Sequence, residues 1–146
     1  MRRFVTGTGE DGKSRIVEGL PDPGVITIEG REGFAMYNMW MTTETKPYTE
    51  QDHDMTVPKG LMPPANGTFF RIVDFPPEFK DPEEMRRVLE AQFKNQFADV
   101  AHNTEDGKNV GFHQHETIDY AIVLDGSIKL LLDDQEQELE KGDIVI

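Results

Sequence analysis

The sequence predicts an all-β fold with one additional helix, and three observations lead there. Turn formers cut the N-terminal half into short pieces: nine Pro and thirteen Gly fall largely within Gly7 to Gly12, Gly19 to Gly24, Thr45 to Pro64 and Asp74 to Pro77. The pieces between those turns are rich in β-branched and aromatic residues, which suits strands. Only one segment keeps a helical period. A length of 146 residues is the size of one domain around one core, and 36% hydrophobic residues with nine Phe place the chain among globular proteins.

Taken in order, Gly7-Thr8-Gly9-Glu10-Asp11-Gly12-Lys13-Ser14 matches a phosphate-binding loop letter for letter. Such a loop needs a helix directly behind it, whose N-terminal amides face the nucleotide. Here only Arg15 to Glu18 precede Gly19 and Pro21, and Glu10 and Asp11 would put negative charge in the cradle, so a Gly-rich hairpin is expected. Ala121-Ile122-Val123-Leu124-Asp125 imitates the metal-holding nucleotide motif, but a strand ending at an Asp-Gly turn has the same letters. Val25 to Ile28, Phe34 to Thr42 and Thr68 to Phe75 read as strands, the second apolar on both alternating faces, and Thr45 to Pro64 reads as loop.

A helix is expected over about 82–98. Asp81 can cap it, Pro82 suits its first position, and Glu83 and Glu84 face the positive end of its dipole. Met85, Val88, Leu89, Phe93, Phe97 and Val100 recur at three- and four-residue steps, and Glu90 and Lys94 form a supporting surface pair. Beyond Asn103 to Gly107 the period shortens again. Tyr120 to Leu124, Ser127 to Leu132 and Glu136 to Glu140 read as consecutive strands separated by Asp125-Gly126 and Asp133-Asp134, with Ile144 to Ile146 opening another.

Composition excludes several classes of function. With 15 Lys and Arg against 28 Asp and Glu the formal charge is −13, which repels phosphate backbones and anionic membranes, so no nucleic-acid and no membrane partner is expected. The absence of Cys removes thiolate nucleophiles and disulfides, leaving His and carboxylates to hold any metal. The N-terminus lacks the apolar stretch of a signal peptide and no run reaches the ~18 apolar residues of a membrane helix, so a soluble, cytoplasmic protein is expected.

Two residues apart on a strand, His113 and His115 share a face, and Asp119 keeps that face if the strand continues. Two imidazoles and a carboxylate with open positions suit Fe, Mn, Ni or Zn. A solvated polar strand face would carry the same letters. Glu116 is a substitute ligand pointing the other way, His102 can cap the helix end, and His53 lies in a loop between two Asp.

Gly107, His113, His115, Asp119 and Gly126 also fall on the first motif of the cupin superfamily, which the chain from Gly67 onward resembles. Gly142-Asp143 stands where the second cupin motif begins, and Gly67 to Pro77 with Thr117-Ile118-Asp119-Tyr120 resembles a subgroup of small single-domain cupins. In that subgroup the second His is often another residue, so His115 strengthens a metal reading. The chain departs from the family in carrying Asp119 for Glu, and in lacking the second motif's His and closing strands.

The resemblance implies a cupin-like jelly-roll β-sandwich or barrel. It would be a single domain over 1–146: N-terminal strands and loops to 80, the helix at 81–100, and the first motif and following strands at 107–146. Fold membership alone fixes no reaction. The expectation is a metal-dependent enzyme acting on a small oxygenated organic molecule, by lyase or isomerase chemistry ahead of dioxygenase chemistry. His113, His115 and Asp119 would hold a divalent metal and Tyr120 would move a proton. The alternative is a non-catalytic cupin that binds a small ligand or serves as an oligomeric subunit. Without the closing strands, apolar surface near Leu139 to Ile146 would be uncovered, so a homodimer is expected.

Overall fold

A computed structural model describes residues 2–20, 22–44, 60–100 and 112–146. The chain divides into two units, Met1–Gln114 and His115–Ile146. The regular elements of the described residues are mostly strands, in small antiparallel sheets, with a single helix, which bears out the all-β expectation; no closed barrel is formed among the described residues. His53, His102 and Gly107 lie outside the described residues.

The first unit opens with a hairpin of β1 (Thr6–Thr8) and β2 (Ser14–Ile16). The Gly-rich segment is its turn, closed by Gly9 N–H to Lys13 C=O at 2.9 Å, with Arg15 paired to Asp11. No helix follows, so the amides are spent on the turn and the phosphate-loop letters have no cradle. A three-stranded sheet follows in the order β3 (Gly24–Ile26), β4 (Ala35–Thr42), β5 (Thr68–Asp74). Register places Ile26, Met36 and Val73 in one row across all three strands, and the next row on that face is Gly24, Asn38 and Arg71. The β4–β5 register shifts between Asn38 and Trp40, making Met39 the extra residue of a bulge. The neighbours Asn38 and Met39 are therefore both buried, which accounts for part of the two-faced apolar pattern of β4.

Helix α1 (Pro82–Asn95) is capped as its sequence requires: the Asp81 carboxylate accepts from Glu83 N–H at 3.0 Å. Val88, Phe93 and Phe97 pack with Ile28, Phe34 and Met36 into one core, flanked by Ile26, Leu61, Val73 and Phe79. The helix ends earlier than its apolar stripe. Phe97 N–H reaches back to Gln92 C=O at 3.3 Å and Val100 N–H to Phe97 C=O at 3.2 Å, so the chain leaves the helix while both side chains stay buried.

A half-buried charge ties the rest of this unit together. The Arg71 guanidinium donates from Nε to Asn38 Oδ1 at 2.8 Å, from Nη1 to Leu61 C=O at 2.8 Å and from Nη2 to Gly60 C=O at 2.9 Å. It also lies over the Phe69 ring, 4.0 Å from the centroid. Asp99 accepts from Leu61 N–H at 2.9 Å and Met62 N–H at 2.8 Å. Burial pulls the Arg71 pKa down to about 10 while the Asp99 charge pulls it up, so the side chain stays cationic at neutral pH. Gly60 is needed here twice over: its φ is +79°, and a Cβ would run into the Asp99 carboxylate.

In the second unit β6 (Ala121–Ile122) pairs with β9 (Ile144–Val145), and β7 (Ser127–Leu131) with β8 (Glu136–Glu140). Asp125-Gly126 therefore does not turn β6 back onto β7, contrary to the simplest reading of consecutive strands. Ile122 faces Ile144 and Ser127 faces Glu140, so four intervening residues on one arm oppose three on the other. The unit is thus one antiparallel ribbon with an extra residue at its irregular middle. Gly126 takes φ +71° there, and Leu132 N–H to Gln135 C=O at 2.9 Å closes the far turn.

Two stability predictions follow from this packing. Phe97, 2% exposed, should cost about 3–5 kcal/mol when replaced by Ala, whereas Phe70→Ala, at a position 60% exposed, should cost under about 1 kcal/mol. Denaturant titrations of the two variants, followed by Trp40 fluorescence, make the comparison. Gly60→Ala should lose about 1–3 kcal/mol from backbone strain, before the clash with Asp99 is counted. The same titration checks it, and an unchanged midpoint would contradict the clamp around Arg71.

Candidate metal-ligand cluster

The four residues singled out by sequence do not lie together on one strand. His113 belongs to the first unit, where its ring lies 5.8 Å from that of Phe93 at an interplanar angle of 56°. His115, Asp119 and Tyr120 belong to the second unit. Apart from a single bridge at His113, residues 112–120 form no strand, so the same-face argument from strand alternation does not apply there.

His115 and Asp119 nevertheless meet. The His115 Nε2 and Asp119 Oδ2 atoms are 3.5 Å apart. Four residues of extended strand would separate their Cα atoms by roughly 13 Å, too far for these side chains to touch. The chain instead bends at Glu116, and Thr117 holds the bend. Its Oγ1 lies 2.6 Å from His115 Nδ1 and donates to Asp119 Oδ1 at 2.8 Å. Imidazole, hydroxyl and carboxylate so form a closed cluster in which one Thr touches both neighbours. The His115 side chain is 19% exposed and that of Asp119 67%, so the cluster is rooted on its imidazole side and open on its carboxylate side. Glu116 is exposed.

Thr117 is the residue that the sequence reading passed over. The available signal was its place two residues from both His115 and Asp119, with a hydroxyl able to accept from one and donate to the other. Tyr120 is 74% exposed.

Among the described residues no group of three or more His, Asp or Glu side chains is gathered closely enough to hold a metal ion; of the residues expected as ligands, His115 and Asp119 are two that meet. The donor chemistry of this pair fits a divalent metal. With bonds of about 2.1 Å to nitrogen and oxygen, two ligands of a tetrahedral ion lie about 3.4 Å apart. The observed N···O separation of 3.5 Å is within a tenth of an ångström or so of that edge.

Two shallow clefts lie elsewhere, both in the first unit. One of about 240 Å³ is lined by Arg2, Arg3, Phe4 and Val17 among others, and one of about 650 Å³ by Arg15, Ile16 and Glu18 among others. Neither includes His113, His115, Asp119 or Tyr120. Among the described residues no helix is long and apolar enough to cross a membrane. No protein-family model, curated protein or solved structure matches the chain.

Proposed function

We propose that the chain is a cupin-like, metal-dependent protein acting on a small oxygenated organic molecule. His115 and Asp119 are its metal ligands, and His113 is carried as the third on the sequence motif. The observation that supports this reading is the Thr117-braced contact between His115 and Asp119, a nitrogen and an oxygen donor at metal-ligand separation. The antiparallel ribbon that follows, with its one extra residue, is compatible with a jelly-roll architecture.

When bound, a divalent metal in such a site would polarise a carbonyl, carboxylate or enol oxygen of the ligand molecule. The chain's own residues do the rest. His115 supplies a neutral nitrogen donor, Asp119 a negative charge that offsets the cation, and Thr117 fixes both side chains before anything binds. Tyr120, adjacent to Asp119 in sequence, carries the hydroxyl available for proton transfer. Lyase or isomerase chemistry needs no more than these groups, and it is preferred to dioxygen chemistry for that reason.

Elemental analysis of the full chain purified without chelator should find near-stoichiometric Fe, Mn, Ni or Zn. Replacing His115 and Asp119 together by Ala should remove it, and His113→Ala tests the third position separately. Full metal content in the His115→Ala/Asp119→Ala double variant would overturn the assignment.

A homodimer belongs to the same reading. Ile118, Ile122, Leu124, Ile144 and Ile146 are all exposed on the second unit, an apolar surface that association would cover. Light scattering at micromolar concentration should give twice 16.6 kDa, and a monomer mass unchanged by concentration would contradict it.

A further inference from the structure

The hydrogen bonds of Thr117 carry more than bracing, because a hydroxyl has a single proton to give. Oγ1 is 2.8 Å from Asp119 Oδ1 and 2.6 Å from His115 Nδ1, so it faces two potential acceptors at once. A carboxylate only accepts. The hydroxyl proton must therefore point to Asp119, and the contact with His115 must be made by a proton on Nδ1 donated to the Thr117 oxygen. In a neutral ring that leaves the lone pair on Nε2, the nitrogen 3.5 Å from Asp119 Oδ2.

We propose that Thr117 is a positioning residue that holds His115 in its Nδ1–H tautomer and so sets Nε2 and Asp119 Oδ2 side by side as the paired ligand atoms. The tautomer assignment stands on hydrogen-bond geometry alone, and its consequence for metal binding rests on the functional reading above. The device acts on both partners through one group. Donating to Oδ1 leaves Oδ2 as the carboxylate oxygen next to the imidazole, and accepting from Nδ1 orients the ring. Such outer partners of ligating imidazoles commonly fix the ring's tautomer and orientation, and their loss lowers metal affinity by about 10- to 100-fold.

The test uses the full chain labelled with ¹⁵N-histidine, without metal, at a pH above the ordinary imidazole range. Two-bond proton–nitrogen correlations report which ring nitrogen carries the proton, and the His115 signals are assigned by their loss in His115→Gln. In the parent protein His115 should be protonated at Nδ1. Thr117→Val, which keeps the shape and removes the hydroxyl, should shift the ring toward the Nε2–H form, and Thr117→Ser should restore the parent pattern. Nε2–H in the parent, or an unchanged tautomer in Thr117→Val, would overturn the proposal.

A zinc titration against a competing chelator then reads the consequence. Thr117→Val should bind about 10- to 100-fold more weakly than the parent, with Thr117→Ser near the parent value. Equal affinity in parent and Thr117→Val would overturn the positioning role. An Nδ1–H ring in a parent protein that binds no zinc would instead overturn the functional reading and leave the tautomer assignment standing. Should Thr117→Val fail to fold, the parent spectrum and Thr117→Ser still decide the tautomer.

Discussion

The guanidinium of Arg71 is the group around which the first unit is arranged. It projects from the central part of β5 onto the face that α1 covers, in the row shared with Asn38 and Gly24. A charge drawn out of water there is costly unless its donors are satisfied. Asn38 Oδ1 and the carbonyls of Gly60 and Leu61 supply that satisfaction. Those carbonyls are available because Asp99, just past the helix, binds the neighbouring amides of Leu61 and Met62. Three distant pieces of chain, the segment before β5, the middle of β4 and the exit of α1, are positioned by one side chain. Asn38 is 4% exposed, so losing Arg71 would strand a buried amide as well as two carbonyls.

A second cation is accommodated differently. Arg31 lies between the rings of Phe34 and Phe79, with centroids at 5.4 and 5.3 Å, and burial lowers its pKa. Among the described residues its Nε is the buried side-chain nitrogen or oxygen without a hydrogen-bond partner. The two ring faces supply attraction to the cation but no acceptor for that proton. Arg71 and Arg31 thus show two ways for a β-rich chain with a net charge of −13 to keep cations near the core: a hydrogen bond from each guanidinium nitrogen in one case, aromatic contact alone at the buried Nε in the other.

At the candidate site the energetics are local. His115, Thr117 and Asp119 span five residues, and their contacts depend on a bend rather than on a strand. A bend of this kind is specific where its side chains bond one another, because each short contact restricts the backbone that carries it. The paired donors at 3.5 Å are the part of the proposed ligand set that this bend creates. The His-x-His spacing, by contrast, placed two imidazoles on one face only under the assumption of a continuous strand.

Much of the local structure was legible in the sequence, because it follows from short-range rules. Asp81 and Pro82 marked the helix start, the stripe through Val88, Phe93 and Phe97 marked its buried side, and the Gly-rich letters at 7–14 made a hairpin because no helix could follow them. Two of the residues the sequence singled out, His115 and Asp119, do come into contact, though through a bend rather than along a strand. What the tertiary structure decided is where non-local pairing overrode the pattern. The bulge at Met39 depends on β4 meeting β5, the pairing of β6 with β9 on a ribbon closing from its far turn, and the Arg71 clamp on residues up to 39 positions apart, from Gly60 to Asp99. Thr117 fell between these cases. Its letters are local, but the role proposed for it follows only from its single hydroxyl proton facing two polar neighbours in space.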